Sequence, residues 1–135
     1  MNVVDSSAWL EYFADGPNAA DFEGAVEDAQ NLVVPTLTLY EVFKRISRQR
    51  READALQATA VMQQGKVVDL TAGIALEAAR LSLASGLPLA DAVILATARG
   101  RKATLWTQDS HFEGMVGVEY RSPEPPKAGK RSRAP

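Results

Sequence analysis

No cysteine occurs among the 135 residues and there is a single histidine. A disulfide framework, a thiolate metal site and a structural zinc site of the usual Cys/His type are all excluded. No apolar run approaches the length of a membrane span, and the opening MNVVDSSAWL has no basic leader, so neither a signal peptide nor a spanning helix is expected. No excess of one charge is present either: the formal net charge is −2. The charge is unevenly placed, however. Residues 122–135 hold Lys127, Lys130, Arg131 and Arg133 against Glu124, a net of +3, which leaves −5 for residues 1–121. A polyanion bound by that acidic body needs a local basic patch or bound cations.

What is present suits one soluble, cytoplasmic domain with a real core: 46% hydrophobic and 24% charged residues. Short β-branched runs alternate with amphipathic stretches. Strands are expected at residues 2–4, 31–35, 66–70, 103–106 and 117–120. Helices are expected from Ala8 after the cap-competent Asp5-Ser6-Ser7, over residues 18–29, and after Pro35 with Thr36 or Thr38 as cap. Further helices run from Glu52 to Gln64, from Thr71 to Ser85-Gly86, and from Pro88 to Gly100. This alternation predicts an α/β fold, a three-layer α/β/α sandwich with a mostly parallel central sheet, over residues 1–121. From Ser122 no apolar residue exceeds alanine, so the basic tail 122–135 is expected to be disordered, either binding RNA or inert.

In sheets of this kind ligands bind beyond the carboxyl ends of the strands. Asp5 follows the first strand, Asp109 follows the fourth, and Glu41 and Asp91 stand near helix starts, so the pattern puts four acids on one rim. Each has a plainer explanation: a cap for Asp5, a solvated face for Glu41, a dipole partner for Asp91 and a turn for Asp109. Against this, Asp91 lies among Leu89, Val93, Ile94 and Leu95, with no basic residue one turn away at 87, 88, 94 or 95. Glu41 borders Leu39, Val42 and Phe43. Acids beside apolar faces are costly unless paired or bound to a cation, and a hard divalent ion is the economical partner for several.

Four segments carry a resemblance: VVDSSAW at 3–9, PTLTLYEV at 35–42, LPLADAVILATA at 87–98 and LWTQDSHF at 105–112. In order and spacing the chain resembles the PIN domain, and more narrowly the VapC-type toxins of toxin–antitoxin pairs. The resemblance implies a Mg2+- or Mn2+-dependent endoribonuclease. Its acidic quartet falls on Asp5, Glu41, Asp91 and Asp109, with hydroxyls at Ser6 and Thr107. Asp5 and Asp91 would ligate the metal, and Asp109 would do so directly or through water. Glu41 would bind a second metal or orient the attacking water, while Ser6 and Thr107 fix carboxylate rotamers. Many relatives carry an acid where this chain has His111, which leaves a second metal site weaker or differently ligated. A cognate antitoxin lying over the acidic groove and a homodimer are also implied.

The run from Lys44 to Arg51 is basic at five of eight positions. Lys44, Arg45 and Arg48 either track RNA phosphates or form a solvated helix end; His111 either contacts RNA or caps a turn. Trp9, Tyr12 and Phe13 are read as core or a partner surface. Two other classes compete. A phosphatase of the haloacid dehalogenase type requires a second acid two residues after the first, where this chain has Ser7. A non-catalytic RNA- or protein-binding PIN domain is the alternative, although degenerate members lose acids and all four are retained here.

Overall fold

In a computed structural model, the chain is described over residues 1–123. The expectation for the basic tail therefore falls, from residue 124 onward, outside the described residues. Five strands, β1 (Asn2–Val4), β2 (Leu32–Pro35), β3 (Lys66–Val68), β4 (Thr104–Thr107) and β5 (Val118–Tyr120), form one sheet in the order β3-β2-β1-β4-β5. Every pairing is parallel, with Val3 opposite Val33 on one side and Leu105 on the other. Among the described residues six α-helices connect them: α1 (Ser6–Phe13), α2 (Ala19–Glu27), α3 (Thr36–Gln49), α4 (Glu52–Met62), α5 (Ala72–Ser85) and α6 (Leu89–Gly100).

The pleat sorts neighbouring residues into two cores. Val3, Val33 and Leu105 face a cluster with Ala78 of α5 and Val93, Ile94 and Leu95 of α6. Val4 and Val34 face the other way, onto Trp9, Phe22, Val26, Val42 and Met62 from α1 to α4. Helices thus cover both sheet faces, as all-parallel sheets require. Residues Asp91 to Ala98 of α6 are all buried, so this helix has almost no solvent face.

Local chemistry sets the helix ends. The Thr71 hydroxyl accepts from the Ile74 N–H at 3.2 Å and caps α5. Gly86 closes α5 in the left-handed region, φ 77°, where a side chain would be strained. Trp9 stacks on Phe13 at 5.6 Å between ring centroids; Trp9, 1% exposed, belongs to the core, and Tyr12 and Phe13 pack half-buried against it. Among the described residues no single helix is long and apolar enough to cross a membrane.

The order β2-β1-β4 is what places the site. The chain leaves β1 for one side of the sheet and returns to its other side only at β4. The carboxyl ends of these adjacent strands diverge there, opening a crevice at the switch point.

Candidate active site

Asp5 is the first residue past β1, and its own N–H donates to the Trp106 carbonyl of β4 at 2.9 Å. Its side chain does not cap α1. Instead Asp5 Oδ2 accepts two hydroxyls, from Ser7 at 2.8 Å and from Thr107 at 2.9 Å. Ser7 Oγ also accepts the Gln108 N–H at 3.0 Å, and Thr107 Oγ1 accepts the Asp109 N–H at 2.9 Å. The ends of β1 and β4 are therefore laced together through one carboxylate. Asp5 is 2% exposed, and burial pushes its pKa up to about 6 despite the two hydroxyl donors.

Asp91 lies in the first turn of α6 and is 9% exposed. Burial raises its carboxyl above the ordinary range, and a hydrogen bond from His111 opposes the rise. His111 stands in the short 3-10 turn Ser110–Phe112 after β4. Its Nδ1 is 2.8 Å from Asp91 Oδ2 and 3.2 Å from Asp109 Oδ1. The bond to Asp91, then the charge of Asp109, raise the imidazole pKa. Asp109 does fill the turn role open to it, because its Oδ1 accepts the His111 N–H at 2.9 Å.

Glu41 reaches the same place from α3. Burial raises its carboxyl too, with the Ser6 hydroxyl opposing and the charges of Asp5, Asp91 and Asp109 adding to the rise. Its Oε1 is buried and has no hydrogen-bond partner among the described residues. Asp5, Glu41, Asp91 and Asp109 all line one groove of about 760 Å3, bordered by Leu10, Phe13 and Ile46 on its apolar side.

The four acids named from the sequence are thus brought together. The hydroxyls serve different acids: Thr107 bonds Asp5 together with Ser7, which is an additional donor, while Ser6 faces Glu41. The basic run also divides. Arg45 lines the acidic groove together with Arg50, which the sequence reading had not singled out. Lys44 turns away: its Nζ donates to the Tyr40 hydroxyl at 3.3 Å beside a separate apolar depression, and Arg48 is exposed. Gln108, also unnoticed in the sequence, borders the groove and accepts from Asn18 Nδ2 at 2.7 Å. The two serines stand side by side and only one can lean toward β4, so orientation across the sheet, invisible locally, was the missing signal.

Carboxylates crowded this closely repel one another and cost desolvation. The buried, unpartnered Glu41 Oε1 is the clearest sign that their hydrogen bonding is incomplete without a further group. An all-oxygen donor set of this kind fits a hard divalent cation. Asp91, Asp109 and His111 each offer a ligand atom, all within 4.8 Å of one another.

The sequence matches the family profile described as PIN domain over residues 3–117. No curated protein matches it. Among solved structures, one chain of a toxin–antitoxin complex from Klebsiella pneumoniae is similar at TM-score 0.74 and 22% identity, covering 88% of this chain and 96% of that one. The Mycobacterium tuberculosis toxin VapC20, a sarcin–ricin loop cleaving toxin, is similar at TM-score 0.71 and 18% identity, covering 88% and 99%. A chain of DNA-bound VapBC from Salmonella typhimurium is similar at TM-score 0.66 and 16% identity, covering 90% and 98%. At these identities the likeness is one of fold.

Proposed function

The chain belongs to the PIN-domain family, and on that premise we propose that it is a divalent-metal-dependent endoribonuclease, the toxin of a toxin–antitoxin pair. The observation that carries the reading is the convergence of four acids in one groove, with Glu41 Oε1 buried and unpartnered. Asp5, Asp91 and Asp109 are the residues that would hold a Mg2+ or Mn2+ ion. The chemistry supplied when such an ion is bound is Lewis-acid polarisation of a phosphate oxygen and a lowered pKa for water.

The protein's own groups supply the rest. Glu41, its carboxyl raised by burial, takes up a proton from the attacking water. Ser7 and Thr107 hold Asp5 in one rotamer, so the carboxylate pays no reorganisation when charge arrives. Arg45 and Arg50 lie along the groove and orient the phosphates of a single strand. Leu10, Phe13 and Ile46 wall off water and offer an apolar seat for a base or for a partner side chain. Lys44 and Arg48, outside the acidic groove, extend the positive field along α3.

Two partners follow from the same reading. The half-apolar, acid-ended groove suits a basic antitoxin segment lying across it, and toxin–antitoxin complexes stand among the structural neighbours. A second copy suits α5: Ala72, Leu76, Ala79 and Leu83 recur at coiled-coil spacing and are all exposed, Leu83 at 89%. The site of action is the cytoplasm, where both RNA and antitoxin are found. Incubating the protein with total RNA and Mg2+ or Mn2+, then sequencing the new ends, tests the activity. New ends that appear with wild type and vanish with EDTA or with Asp91→Asn are expected; ends that survive in the Asp91→Asn protein overturn the assignment.

A further inference from the structure

His111 does more than the pairing of one acid requires. A single nitrogen, Nδ1, lies 2.8 Å from Asp91 Oδ2 and 3.2 Å from Asp109 Oδ1. One N–H cannot serve both oxygens well, since they come from different elements, α6 and the turn after β4. Three ligand atoms that share one small cation at right angles lie roughly 3 Å apart, given metal–ligand distances of about 2.0–2.2 Å. The two spacings from Nδ1 are close to that, and all three ligand atoms lie within 4.8 Å of one another.

The backbone holds this arrangement. The His111 N–H is tied to Asp109 Oδ1 at 2.9 Å, and the next residue, Phe112, is fully buried and pins the turn to the core. The imidazole side chain itself is 54% exposed, so its approach costs little desolvation and leaves it free to accommodate an ion.

Resting on the metal-dependent reading above, we propose that His111 Nδ1 is a metal ligand. It completes a face of two carboxylates and one imidazole with Asp91 and Asp109, and it tunes the site toward transition-metal dications such as Mn2+ and Co2+ over Mg2+. Mg2+ takes oxygen ligands almost exclusively, whereas imidazole nitrogen favours later first-row ions in the order of their intrinsic affinity. An acid at position 111 would add charge and suit Mg2+. A histidine there withholds charge and adds a softer donor.

The test is binding and spectroscopy on the metal-free full chain, with no turnover involved. Calorimetric titration with Mn2+, Co2+ and Mg2+ is expected to give a preference for Mn2+ over Mg2+ of about tenfold or more. His111→Ala should weaken Mn2+ and Co2+ by about tenfold or more and Mg2+ far less. His111→Asp should erase or reverse the preference. In the Mn2+-loaded wild type, electron spin echo spectra should carry a 14N coupling that both variants lack. Absence of that coupling in wild type, or an equal loss for all three ions in His111→Ala, overturns the inference and leaves His111 an ion-pair partner only. Metal binding that needs Asp91 but not His111 sinks this inference and leaves the nuclease reading standing. Failure of every dication to bind, with wild type indistinguishable from Asp5→Ala, overturns both.

Discussion

The Thr107 hydroxyl donates to Asp5 Oδ2 at 2.9 Å across 102 residues of sequence, and Ser7 donates to the same oxygen at 2.8 Å. Both donors stand where β1 and β4 end, so the strand pairing itself aims the carboxylate. Thr107→Val removes one donor while keeping shape. It is expected to weaken divalent-metal binding by about 10–100-fold, with Thr107→Ser near wild type. Ser7→Ala should cost metal affinity more than Ser6→Ala, because Ser6 faces Glu41. Equal losses for the two serine variants in calorimetry would contradict this division of roles.

Burial also makes Asp5 a liability in the metal-free protein. Its folded pKa of about 6 lies above the ordinary 3.8, so the folded state holds a proton that the unfolded state releases between those values. Stability therefore falls as pH rises from about 4 to about 6, by about 3 kcal/mol once the group is fully ionised. Asp5→Asn keeps an acceptor for Ser7 and Thr107 and removes the charge. Its metal-free form is expected to melt higher than wild type at pH 7.5 and about equally at pH 4, while losing metal binding. Thermal melts at the two pH values check this; a variant less stable than wild type at pH 7.5 would count against it.

Much of this is legible in the sequence. β-branched runs alternating with helices implied the parallel sheet, and Thr71 and Gly86 marked the ends of α5 where the structure has them. Other boundaries moved slightly: β3 stops at Val68 rather than Leu70, α4 at Met62 rather than Gln64, and β4 runs from Thr104 to Thr107. The four acids could be read because each stands at a strand end or a helix start, positions the fold class puts on one rim. Pairings across the sequence could not. No cation lies one turn from Asp91, yet His111, 20 residues on, meets it once the turn after β4 folds over α6. Likewise nothing in Asp-Ser-Ser says which serine leans toward β4.

The two sides of α3 make separable predictions for RNA binding. Arg45 and Arg50 line the groove, whereas Lys44 is engaged with Tyr40 on the other side, its Nζ 5.5 Å from the ring centroid. Arg45→Ala and Arg50→Ala are each expected to weaken binding of a single-stranded RNA to a cleavage-inactive Asp91→Asn protein. Each should reduce the slope of log K against log salt by about 0.7, the contribution of one phosphate contact. Lys44→Ala should leave the slope nearly unchanged. Fluorescence anisotropy across a salt series reads all three, and a larger effect for Lys44 than for Arg45 would place the RNA path on the wrong side of the helix.

Self-association through α5 gives the last prediction. Leu76 and Leu83 are seven residues apart, 62% and 89% exposed, with Ala72 and Ala79 completing the same stripe. Ala78, on the other side of the helix, is buried against α6, so the exposed stripe is surplus to the domain's own core. Small residues alternating with leucines let two such helices approach closely and interlock. Leu83→Glu places a charge on the most exposed leucine of that stripe, where burying it unpaired in the contact costs several kcal/mol. Sedimentation velocity is expected to find wild type dimeric at micromolar concentration and Leu83→Glu monomeric, with the monomer's thermal stability nearly unchanged because Leu83 contributes little to the fold. A wild-type monomer at that concentration, or a Leu83→Glu protein that stays dimeric, would remove α5 as the interface.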